Sequence, residues 1–120
     1  MNRFIGKTIT NIEGIVGDDE LRFHLACGST LTMYHEQTCC ESVYVEDICG
    51  DLADLIGSPI LLSEEISDYD GPPLGLQDDS YTWTFYKLAT LKGAVTIRWY
   101  GESNGCYSEE VSIREGMLGE

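Results

Sequence analysis

Positive charge is what this sequence has least of. Seven lysines and arginines stand against twenty-one aspartates and glutamates in 120 residues, a formal net charge of −14. Such a surface repels phosphates, which argues against direct binding of nucleic acid or of an anionic membrane. No apolar run is long enough to span a bilayer, and Met1–Lys7 lacks the apolar stretch of a signal peptide. These absences predict a cytoplasmic protein with no membrane role. There is no internal repeat and no dividing linker, so residues 1–120 read as a single domain. A glycine-rich oxyanion loop is also missing, which leaves no enzyme signature. Asp68-Tyr69-Asp70-Gly71 lacks the third spaced acid and the downstream glutamate of a calcium loop.

Apolar residues make up 42% of the chain and charged ones 23%, enough for one folded core. Five cysteines without a secretion signal suggest a reducing compartment, where thiols stay free for metal. Their odd number leaves at least one outside any complete disulfide set.

Lys7 to Val16 is rich in β-branched residues and reads as one strand or an interrupted pair. After a turn at Gly17-Asp18-Asp19, Leu21, Phe23 and Leu25 alternate with Arg22 and His24. A short turn at Cys27-Gly28-Ser29 leads into a return strand from Thr30 to Glu36, with Leu31, Met33 and His35 on one face. The period then changes. Thr38 and Glu41 fit a capping box, with Ser42 as an alternative start. Ile48, Leu52, Leu55 and Ile56 form an apolar stripe at helical spacing, opposite Asp47, Asp51 and Asp54. Gly50 weakens this helix, and Gly57-Ser58-Pro59 ends it.

Further strands are predicted at Ile60–Ile66, Tyr81–Leu88, Ala94–Tyr100 and Tyr107–Ile113. Asp68–Ser80 is predicted as a proline-bearing loop, and the tail from Glu115 as loose. Val95, Ile97 and Trp99 should face the core, with Thr96 and Arg98 outward. Tyr81, Trp83 and Phe85 share one face of their strand, and most of the aromatic set is assigned to the core. Tyr86 and Tyr100, on polar faces, are candidates to anchor a partner. The predicted fold is α+β: a mostly antiparallel sheet, or a small partly closed barrel, of six or seven strands with one short helix near residues 42–56.

The stretch from Tyr34 to Ser42 concentrates metal donors. His35 ends a strand, and Cys39 and Cys40 follow four and five residues later. Imidazole and thiolate are zinc ligands, and a helix start favours thiolate over thiol. His35, Cys39, Cys40 and Cys49 are therefore the candidate ligands of a structural zinc, with His24, Glu36, Glu41 and Asp51 as possible completing groups. The spacing does not match the paired knuckles of a zinc ribbon. Two other readings stand beside it: small buried cysteines with a hydrogen-bonded rim histidine, or a thiol nucleophile with His35 as base. Asp47, Asp51, Asp54, Glu64 and Glu65 are the candidate partner-binding acids, in competition with a merely solvated face.

The run His35-Glu36-Gln37-Thr38-Cys39-Cys40-Glu41, continuing through Gly50-Asp51-Leu52 to Ile60, resembles a family of small proteins of unknown function carried by bacteriophages and prophages. Trp99-Tyr100-Gly101-Glu102-Ser103-Asn104-Gly105-Cys106-Tyr107 resembles that family's C-terminal segment. The resemblance implies a phage accessory protein of the kind that inhibits host defence, with the metal-binding type II anti-CRISPR proteins that act on Cas9 as the particular relatives. It implies a non-enzymatic inhibitor that blocks DNA loading by occupying a basic host protein, Cas9 or its guide-RNA complex; the oligomeric state is left open, with a monomer favoured. The alternatives are a small metal-dependent or thiol enzyme acting on a small molecule, and a metal-free interaction domain.

Overall fold

A computed structural model describes residues 3–36, 41–70, 80–103 and 110–117. It contains eight strands: β1 (Ile9–Glu13), β2 (Glu20–Leu25), β3 (Ser29–Tyr34), β4 (Ser42–Cys49), β5 (Leu62–Asp70), β6 (Ser80–Thr90), β7 (Gly93–Ser103) and β8 (Ser112–Met117). They form two antiparallel four-stranded sheets, β1-β2-β3-β8 and β4-β7-β6-β5. Among the described residues helix is limited to one 3₁₀ turn, Leu52–Leu55. Among the described residues neither sheet closes on itself, so the architecture is all-β rather than α+β, and the barrel alternative is corrected too.

The predicted helix over 42–56 is the largest correction. Ser42–Cys49 instead pairs antiparallel with β7, Val43 opposite Gly101 and Val45 opposite Trp99. Val43, Tyr44 and Val45 are β-branched or aromatic and suit a pleated surface better than a helix. Gly50 then stops any continuation. Its φ is +111°, and a Cβ there would lie 2.8 Å from the Ala94 carbonyl oxygen. Only Leu55 of the supposed stripe is fully buried, while Ile48, Leu52 and Ile56 pack at the margin. Asp51 caps the 3₁₀ turn by accepting from the Ala53 amide at 2.9 Å. Gly57 does take a positive φ, +89°, as its position after the turn requires.

The first hairpin follows the sequence pattern. Leu21 pairs with Met33 and Phe23 with Leu31, all four buried. In the second sheet Val95, Ile97 and Trp99 face inward as expected. Their register decides the neighbouring strand. Tyr86 pairs with Ile97 and Leu88 with Val95, so Tyr86 and Leu88 lie in the core. Trp83 and Phe85 pair with Tyr100 and Arg98 on the opposite face. The assignment of Tyr81, Trp83 and Phe85 to the core and Tyr86 to a partner surface is therefore reversed. β5 extends through Asp70, beyond its predicted end, and the tail expected to be loose forms β8, paired with β3 up to Met117.

The sheets share one apolar interior, from Phe4, Phe23 and Met33 to Tyr86, Ile97 and Trp99. Each large side chain fully buried there contributes about 1.5–3 kcal/mol. Main-chain bonds tie the turn after β1 to β4: Gly17 N donates to Val45 O at 2.7 Å, and Val45 N to Asp18 O at 2.8 Å. These bonds use the outer edge of β4 at a bulge between Val45 and Asp47.

Candidate functional site

Two places carry chemistry. The first is where the chain leaves β3 and enters β4. His35 follows the last residue of β3, and Glu41 precedes the first residue of β4 in the other sheet. Their side chains are 3% and 0% exposed, and His35 Nε2 lies 2.7 Å from Glu41 Oε2. On its other side His35 Nδ1 lies 2.7 Å from the carbonyl oxygen of Glu110, just before β8. A carbonyl oxygen only accepts, so Nδ1 must carry a proton and donate. The contact between Nε2 and the carboxylate then needs a proton of its own, because two lone pairs do not attract. The pair is an imidazolium with a carboxylate, or an imidazole with a carboxylic acid. Either way it joins both sheets and the approach to β8 at one buried point.

This node also bears on the zinc reading. A carbonyl anchored on Nδ1 is the usual way an imidazole is held to offer Nε2 to a metal. Glu41, beside Nε2, is the nearest donor among the described residues. A tetrahedral zinc holds such a nitrogen and oxygen roughly 3.3 Å apart, so binding would widen the 2.7 Å contact slightly. Cys39 and Cys40, and Thr38 of the proposed capping box, lie outside the described residues. Cys49 is at the far end of β4 from Glu41, about 25 Å away at the rise of an extended strand. It is exposed and donates to Asp47 at 3.5 Å, which raises its pKa. It is thereby removed from the ligand set. His24 is also placed elsewhere: it pairs with Thr30, at the opposite end of the hairpin from Tyr34. Its Nε2 is 3.3 Å from Glu13 Oε1, beside a cavity of about 290 Å³. Among the described residues no group of three or more metal donors converges.

The five acids assigned to partner binding do not share a face. Asp47 lies 3.7 Å from Arg98, Asp51 caps the 3₁₀ turn, and the main-chain carbonyl of Asp54 accepts from the Thr90 hydroxyl. Glu64 and Glu65 are consecutive on β5 and so point to opposite sides of the sheet. Glu65 is the one beside Tyr86. The helix that was to align the first three does not exist.

Of the second place sequence reasoning found Tyr100, as a partner anchor, and missed the rest by assigning Tyr81, Trp83 and Phe85 to the core. On the solvent side of the β4-β7-β6-β5 sheet, Tyr44, Tyr81, Trp83, Phe85 and Tyr100 are all partly exposed. Tyr100 is the hub. Its ring centroid lies 4.6 Å from Trp83, 5.9 Å from Tyr44 and 6.4 Å from Tyr81. The Arg98 guanidinium sits over Trp83, 5.3 Å from the ring centroid, and binds Glu46. Tyr100 donates to Glu102 at 3.0 Å, and partial burial, followed by that carboxylate, pushes its pKa up to about 12. The signal was present in the sequence. Since Trp99 faces inward, Tyr100 must face outward, and antiparallel pairing brings Trp83 beside it.

Among the described residues no helix is long and apolar enough to cross a membrane. No curated protein and no solved structure matches the chain. A family model described as a domain of unknown function matches residues 2–113, nearly the whole length, and the chain belongs to that family, DUF7448.

Proposed function

We propose that this protein is a non-enzymatic inhibitor that works by occupancy. It covers a basic surface of a host protein that handles nucleic acid and keeps the nucleic acid out. The disposition of charge carries this reading. Most of its few cations are engaged within the molecule. Arg3 donates to the Ile113 carbonyl and Lys92 to that of Ile56. Arg22 lies against Glu13 and Glu20, Arg98 against Glu46 and Asp47, and Arg114 over the Tyr34 ring. Carboxylates such as Asp19, Glu36, Glu64 and Glu115 are exposed around them. The outward field is therefore negative, and opposite charge accelerates encounter with a basic partner.

A Cas9-type effector is the target of choice, because its RNA and DNA lie in a positively charged channel. Pull-down on such an effector across a salt series tests the proposal. Capture at low salt that weakens steeply with added salt supports it. Failure of capture at low salt rejects that target.

A structural zinc belongs to the same proposal. His35 and Glu41 would hold it with the Cys39 and Cys40 thiolates, and the ion would add to the tie between the sheets. Elemental analysis of purified protein is the check: about one zinc per chain supports the site, and metal-free protein of unchanged stability removes it.

A further inference from the structure

We propose that the contact surface is the aromatic outer face of the β4-β7-β6-β5 sheet, and that its occupant is an arginine-bearing segment of a basic protein partner. This rests on the occupancy reading above and specifies which face acts and what it recognises. Three adjacent strands supply the rings: Tyr44 from β4, Tyr100 from β7, and Tyr81, Trp83 and Phe85 from β6. The apolar area continues on β5 with Ile66, which pairs with Phe85 and is 56% exposed. Cross-strand ring contacts help hold the sheet, but they do not require so many rings on the wet side of a sheet whose other face already forms the core.

Charge selects the occupant. Glu46, Asp47 and Glu102 border the rings, and Glu64 stands opposite Lys87 on the same sheet. Nucleic acid would stack on such rings but brings phosphates to a chain of charge −14. A second copy brings the same excess of carboxylates. A guanidinium satisfies both features, since it lies flat on an aromatic face and forks onto a carboxylate. Arg98 gives the precedent within the molecule, with its guanidinium over Trp83 and its Nε on Glu46. A partner arginine would repeat that arrangement on Tyr44, Tyr81 and Tyr100. Lysine matches the charge without the flat stacking surface, so the face should prefer arginine.

The test is a titration of the full chain with an arginine-rich and a lysine-rich peptide of equal length and charge, read by calorimetry. The wild type should bind the arginine peptide about tenfold more tightly, the margin of flat stacking and forked hydrogen bonding that an ammonium lacks. The variant Trp83→Thr with Tyr100→Thr keeps every charge and uses a residue at home in strands. It should lose the arginine preference and bind both peptides with equal, salt-sensitive affinity. Tyr44→Thr, on an edge strand, is the milder substitution if the double variant does not fold, and it should reduce the preference in part. Binding of neither peptide by the wild type overturns the occupancy reading itself. Binding without preference for arginine, or a preference unchanged by the substitutions, overturns the face assignment alone. Dimerisation of the wild type that the same substitutions abolish would make a second copy the occupant and overturn the partner.

Discussion

Replacing Glu41 separates the two ways of reading the His35 node. In Glu41→Ala a buried, proton-bearing imidazole loses the carboxylate 2.7 Å away, while its Nδ1 remains committed to the Glu110 carbonyl. As an ion pair this costs about 3–5 kcal/mol, because the remaining charge is left without compensation, and as a neutral pair about 1–3 kcal/mol, the cost of one buried acceptor left unpaired. At about 3 °C or more per kcal/mol for a chain of this size, the melting temperature should fall by at least ~10 °C in the first case and by ~3–9 °C in the second. Glu41→Gln is the informative companion. Its side-chain amide can donate to a neutral Nε2 while Nδ1–H still donates to Glu110, so every polar atom of the ring keeps a partner. Its loss should be near 1 kcal/mol, the scale of one exchanged hydrogen bond. Differential scanning calorimetry of both variants measures the difference. Equal, small losses in both would refute the buried pair, and equal, large losses would refute the protonation pattern derived for His35.

Three further outcomes follow from other parts of the molecule. Burial, and then Glu65, raise the pKa of the Tyr86 hydroxyl above its usual 10, so its contribution to stability is full below pH 10. It is lost as pH rises beyond that, because the unfolded chain ionises first; stability should fall by up to about 1.4 kcal/mol per pH unit, and less steeply in Tyr86→Phe, as chemical denaturation at alkaline pH would record. Cys27, lowered by its hydrogen bond to Ser29, should be alkylated before Cys49, raised by Asp47, when the intact protein is labelled at about pH 8 and mapped by mass spectrometry; the reverse order would contradict those surroundings. Gly50→Ala should cost about 1–3 kcal/mol in a denaturant titration, because alanine is strained at φ +111° and its methyl would meet the Ala94 carbonyl.

Period-two segments were legible wherever one face is buried and the other wet. Leu21, Phe23 and Leu25 on β2, and Val95, Ile97 and Trp99 on β7, were placed correctly from alternation alone. Residues 42–56 misled because Ile48, Leu52, Leu55 and Ile56 fall at helical spacing only by crossing the Gly50 break. They belong to a strand end, a 3₁₀ turn and the residue after it. β6 misled for another reason. Tyr81, Trp83 and Phe85 alternate with Thr82 and Thr84, so the bulkiest side chains mark the wet face rather than the core, and only pairing with β7 corrects the phase. The importance of His35 was legible from its setting, and Glu41 was named beside it as a possible completing ligand. Reading Glu41 as a helix cap was the error, since it sits at the entry to β4 with its carboxyl on Nε2.

The central claim is that the aromatic sheet face meets a basic partner. Amide chemical-shift mapping of the isotope-labelled protein during titration with the arginine-rich peptide tests it most directly. The largest shifts should fall on Tyr44–Asp47, Tyr81–Phe85 and Arg98–Glu102, and they should fade as salt is added. Shifts confined to β1, β2, β3 and β8, or spread evenly over the carboxylates of both sheets, would contradict it.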